Sequence, residues 1–155
     1  MLQRIQSLVL GLIIVLMIVF LNLPFWEETN LEKGIQFTIM AYALKSSWGL
    51  KAIFPYVCSA ACACIVLFLA LYTIVVHNNR PLQGILVVTI ISVLIGLNAC
   101  LLLLPYKVGQ LASMQGSWSN YKIGAFLPIV SAVLSIFVLL RIQKDHRLVN
   151  DNSLR

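Results

Sequence analysis

Large apolar side chains follow one another along most of this chain, interrupted by short polar stretches. Four runs contain no Asp, Glu, Lys, Arg or His: Ile5 to Phe25, Ile53 to Val76, Leu82 to Leu104 and Ile123 to Leu140. A helix needs about 20 apolar residues to cross about 30 Å of hydrocarbon, at 1.5 Å per residue. Each run is therefore predicted to be a membrane-spanning helix. The first is the most apolar, because between Leu8 and Leu23 only Gly11 and Asn22 are not large hydrophobes. Its apolar stretch is too long for a signal peptide and lacks a small-residue cleavage site, so it is expected to stay in place.

Prolines and aromatics punctuate these runs. Pro24 and Pro105 are expected to end the first and third helices, since proline cannot continue the hydrogen-bond ladder. Pro81 suits the first turn of the third helix. Phe25, Trp26, Trp48 and Tyr56 surround the first long connection, and Tyr106, Trp118 and Tyr121 the second. Such rings favour the headgroup level of a bilayer. The turn His77-Asn78-Asn79-Arg80-Pro81 is short, which makes the second and third helices antiparallel neighbours.

The connection over residues 26–52 is too long for an unstructured link. Within it Ile35, Phe37, Ile39 and Ala41 alternate with Gln36, Thr38, Met40 and Tyr42, a period of two that predicts a strand. Its expected partner is the segment from Tyr106 to Leu111. The fold class predicted is thus all-α: a four-helix transmembrane bundle, one domain over residues 1–155, with a small β-ribbon cap on the outer side. A gapped likeness between Ser47-Trp48 through Ala60 and Ser117-Trp118 through Ala132 has two readings: both segments enter the membrane from the same side and need the same interfacial Trp, Lys and Pro, or the chain is a duplicated hairpin, and the first is the expectation.

Composition strengthens this picture. The chain is 61% hydrophobic and 10% charged, whereas a soluble domain carries about 25% charged residues. The net charge of +6 comes without a basic groove or known module, so no nucleic-acid partner is expected. An even number of spans puts both ends on one side. That side holds Arg4, Arg80, Arg141, Lys144, Arg147 and Arg155, and the other holds Lys33, Lys45, Lys51, Lys107 and Lys122. The cluster after the fourth span, with Glu27, Glu28 and Glu32 on the far side, favours cytoplasmic termini.

Candidate chemistry is sparse. Ion-coupled carriers keep ionisable groups inside their helices, at about 2.5–3.5 kcal/mol each, and these spans have none. No nucleophile with a neighbouring base, phosphate loop or paired carboxylate is present, so no catalytic residue and no enzyme is expected. Cys58, Cys62, Cys64 and Cys100 all lie within spans, without histidines to complete a metal site. Neither a metal nor another cofactor is expected. The run Cys58 to Cys64, with Ser59 and Ala63, reads instead as a small-residue face for close helix approach. Asn98 is the most polar side chain deep within a span, and is expected to hydrogen-bond to a neighbouring helix.

Three segments carry a family likeness. Met1-Leu2-Gln3-Arg4-Ile5-Gln6-Ser7 and Tyr121-Lys122-Ile123-Gly124-Ala125-Phe126-Leu127-Pro128, with the tail Lys144-Asp145-His146-Arg147-Leu148-Val149, resemble the domain-of-unknown-function 4293 family. That resemblance implies a four-span protein of the bacterial inner membrane, mainly of the Bacteroidetes group, and implies no activity. The residues at the two ends suggest a docking surface made of Gln3, Arg4, Lys144, Asp145 and Arg147. The partners expected are the lipid bilayer and other membrane proteins or further copies of this chain. A scaffold or accessory subunit is the leading functional expectation, and a binder or carrier of a lipid or other apolar molecule is the alternative.

Overall fold

The computed structural model describes residues 2–30, 35–47, 51–52, 56–76, 79–111 and 120–153. They form helix α1 (Leu2–Asn22), strands β1 (Trp26–Asn30), β2 (Ile35–Met40), β3 (Ala43–Ser46) and β4 (Lys51–Ala52), then helices α2 (Val57–Val75), α3 (Arg80–Leu111) and α4 (Ile123–Ser153). Each of the four helices contains a segment long and apolar enough to cross a membrane. They close a ring in which α1 packs on α2 and α4, and α3 packs on the same two helices.

The buried positions recur every three or four residues, the spacing of an interhelical seam. On α1 these are Leu10, Ile13, Met17 and Phe20, and on α3 Val87, Ile90, Leu94, Leu97 and Leu101. The corresponding stripes on α2 (Ser59, Ala63, Val66, Ala70, Thr73) and on α4 (Ser131, Ser135, Val138, Ile142) are smaller. Each helix contact in the ring thus sets a stripe of larger residues against one with smaller members, which lets the two surfaces interdigitate along most of their length. The opposite faces carry Leu8, Phe68, Val75, Ile85 and Val133, all large, apolar and exposed.

Hydroxyls and amides on the helices mostly serve their own backbone. Thr89 donates to Ile85 O, Ser92 to Val88 O, Ser131 to Leu127 O and Ser135 to Ser131 O. Gln83 differs: its buried Nε2 reaches Thr73 O at 3.3 Å and ties the start of α3 to the end of α2. On the opposite side of the bundle from the termini lies an antiparallel sheet in the order β1-β2-β3-β4, whose last strand is two residues long. Trp26, Ile39, Leu44 and Ala52 form one cross-strand row, and Trp26 and Ile39 are fully buried.

Several expectations change here. The strand predicted from Ile35 is β2, but its partners are β1 and β3 rather than residues 106–111, which belong to α3. Short hairpin closures cost less entropy than a closure across two helices. Pro105 does not end the third helix. It lies buried inside α3, which loses one backbone bond and continues to Leu111. Trp26 is 1% exposed, so its ring packs inside the protein instead of facing outward, because the pleat of β1 turns it to the same face as Ile39. Trp48 and Trp118 lie outside the described residues. Several of the residues that carry the likeness between the two hairpins, Trp48, Phe54-Pro55 and Ser117-Trp118 among them, lie outside the described residues, and Pro128 lies within α4.

Candidate functional site

Two stretches of chain meet where the sheet joins the bundle. After α1 ends at Asn22, whose side chain donates to Ile18 O, Pro24 redirects the backbone. Phe25 is then held from both sides: its N–H donates to Ile39 O, and its carbonyl accepts from the Lys122 N–H. One residue further on, Trp26 forms a bridge with Tyr121. The first turn of α4 lies so close that a Cβ on Gly124 would stand 2.5 Å from Pro24 O. The ring of Phe25 stacks on Phe20 at 6.4 Å, which fixes the end of α1 beneath the seam. Lys122 reaches out to Glu27 at 3.4 Å, an ion pair in which both side chains are about half exposed.

Below this seam, between α3 and α4, lies a cavity of about 240 Å³ lined by Asn98, Leu101, Leu102, Tyr121, Ala125, Phe126 and Ile129. It opens sideways, since Leu102, Phe126 and Ile129 are 54%, 57% and 49% exposed. Asn98 stands seven residues before Pro105, so the cavity reaches about 10 Å down the helix axis from that level. Burial pushes the Tyr121 phenol above its ordinary pKa, so the group at the rim stays neutral. The lining contains no carboxylate, imidazole or thiol. Its chemistry suits holding an apolar chain and offers no proton transfer.

Among the described residues, Asn98 has no hydrogen bond to a neighbouring helix. Its Nδ2 donates to Leu94 O at 2.8 Å, one turn back along α3. Ser59 has a more specific role than helix packing. Its buried hydroxyl lies 2.8 Å from Tyr56 O and also contacts Ala41 O in the turn between β2 and β3, so it ties the sheet to α2. Ala63 is fully buried one turn below. Cys58 and Cys64 are exposed and Cys62 is half-buried, so the close-packing face of α2 runs through Ser59, Ala63 and Ala70 instead. All four cysteines are free.

The suggested docking residues sit on two adjacent helices, α1 and α4. Lys144 is exposed, whereas the side chains of Gln3, Arg4, Asp145 and Arg147 lie outside the described part of the structure. One turn before them, the Arg141 guanidinium stands 5.0 Å over the Phe137 ring, a cation–π contact. Glu28 points to the sheet face that carries Trp26. One carboxylate oxygen is buried without a hydrogen-bond partner among the described residues, and burial raises its pKa. Sequence reasoning did not single out Tyr121, Lys122, Gly124 and Ala125 as a site. The signs available were the family likeness of the segment Tyr121 to Pro128 and the aromatic Tyr121 near the start of the last span, and neither pointed to a cavity.

No curated protein and no solved structure matches this chain. The sequence profile of a domain of unknown function, DUF4293, matches residues 2–153, and with essentially every residue covered the chain belongs to that family.

Proposed function

We propose that this protein is a non-enzymatic scaffold or accessory subunit of the bacterial inner membrane, with both termini in the cytoplasm. The observation that carries this reading is the helical continuation of α4. Its apolar segment ends near Lys144, yet the helix runs on to Ser153, about two and a half turns of polar helix beyond the hydrocarbon. Beside it lies the start of α1, so Gln3, Arg4, Lys144, Asp145 and Arg147 belong to one end of the bundle. Basic residues there gain about 1 kcal/mol each against an anionic leaflet, and the remaining polar groups are available for protein contact. The absence of embedded ionisable groups and of a catalytic set in the sequence supports the non-enzymatic part. Cross-linking in cells followed by purification tests it: Arg4→Ala with Arg147→Ala should remove specific co-purifying membrane proteins. An unchanged set of partners would count against docking through this end. Binding of a lipid is the second reading, favoured by the cavity between α3 and α4.

A further inference from the structure

The geometry points to a seat for one phospholipid in the α3–α4 groove, with an acyl chain along Asn98, Ala125 and Ile129 and the phosphate at Lys122. This inference rests on the bilayer placement and on the second reading above, and is independent of docking at the termini.

Depth is the first argument. The groove runs from Tyr121, just outside the apolar part of α4, to Asn98 and Ile129 well within the apolar segments. That is the level of the upper acyl chain in the leaflet on the sheet side. Access is the second. The lip residues Leu102, Phe126 and Ile129 are about half exposed on the outer surface of the bundle, so an occupant enters sideways from whatever surrounds the helices. Around apolar helices of this length, the surroundings are lipid.

Size and charge select among occupants. A space of about 240 Å³ holds only about two residues of a partner helix, at a diameter with side chains of about 10–12 Å and a rise of 1.5 Å per residue. A single hydrocarbon chain is slender enough. Lys122 follows Tyr121, a lining residue, and precedes α4, whose first turn carries no acidic residue to repel a phosphate. Its ammonium has three N–H donors. The 3.4 Å contact with Glu27 is a solvent-facing pair worth little by itself, which leaves the ammonium able to hold a phosphate as well. The match is amphipathic: a half-exposed cation next in the chain to Tyr121, a residue lining an apolar slot.

The test uses the full chain reconstituted into phosphatidylethanolamine–phosphatidylglycerol vesicles, extracted gently and examined by native mass spectrometry. One phospholipid should stay on each chain. Ala125→Phe and Ile129→Trp, which fill the slot from its floor and from its lip, should each lower retention roughly tenfold. Lys122→Ala should lower it several-fold, while Val133→Phe on the exposed face of α4 should leave it intact. Circular dichroism checks that each variant is folded, and the lip substitution serves where the buried one does not fold. Absence of a retained phospholipid, equal retention in folded filled variants, equal loss in Val133→Phe, or a protein side chain cross-linked in the slot would each overturn the proposal. Failure of bilayer placement would be visible separately, as a folded chain that stays dispersed without detergent.

Discussion

Gly124 and Pro24 approach so closely that a methyl group on the glycine would lie 2.5 Å from the proline carbonyl oxygen. The contact joins the first turn of α4 to the exit from α1, and so positions Tyr121 and Ala125 at the cavity. Backbone stands on the Pro24 side, where no flexible side chain can yield. Gly124→Ala should therefore destabilise the protein by about 1–3 kcal/mol through overpacking. Thermal unfolding in detergent measures this, and an unchanged midpoint would show that the seam can open without cost.

Ser59 links the sheet to the bundle through Ala41 O. Ser59→Ala removes the donor from a buried site, and a buried acceptor left unpaired costs about 1–3 kcal/mol. Hydrogen exchange should quicken in β2 and β3 while α3 keeps its protection. Uniform quickening throughout the chain would instead mean that the sheet and the helices open together.

Glu28 makes the sheet sensitive to pH. Burial raises its folded-state pKa above the ordinary carboxylate value, so the folded protein holds this proton more tightly than the unfolded chain does. The associated stability is fully present below the unfolded pKa and is lost as pH rises through the folded one. Glu28→Gln should remove this dependence and raise the unfolding midpoint at neutral pH. Superimposable pH profiles for the two proteins would contradict the assignment.

Asn98 bonds within its own helix, so its removal breaks no contact between helices. Asn98→Leu should leave the unfolding midpoint unchanged or higher, whereas loss of an interhelical bond would cost about 0.6–2 kcal/mol. A clear drop would show that the amide has a partner across the bundle.

Both side chains of the ion pair between Lys122 and Glu27 are about half exposed. Glu27→Gln should change stability by less than about 1 kcal/mol. Under the lipid proposal, the same change should strengthen phospholipid retention, since it frees the ammonium from a competing carboxylate.

Much of the architecture was legible along the chain. Four ion-free runs marked the helices, Pro24 marked the end of α1, and the period of two from Ile35 marked β2. The strand's partners were not legible, since alternation says which residues share a face and nothing about what lies beside the strand. Pro105 and Trp26 misled for a related reason. A proline's cost can be absorbed by a long helix packed on both sides, and an aromatic near a span boundary faces inward or outward according to the pleat that carries it.

By itself the sequence determined which segments prefer hydrocarbon to water, since that preference sums residue by residue along the chain. It also determined family membership, with residues 2–153 matched. Only the tertiary structure decided which side of each helix is buried. These helices are apolar all round, so polarity cannot choose a face, and the choice falls to shape: the large stripes of α1 and α3 fit the small ones of α2 and α4. The same packing decided where the fit is incomplete, leaving the space between Asn98 and Tyr121, because a void is a property of neighbouring surfaces and of no single segment.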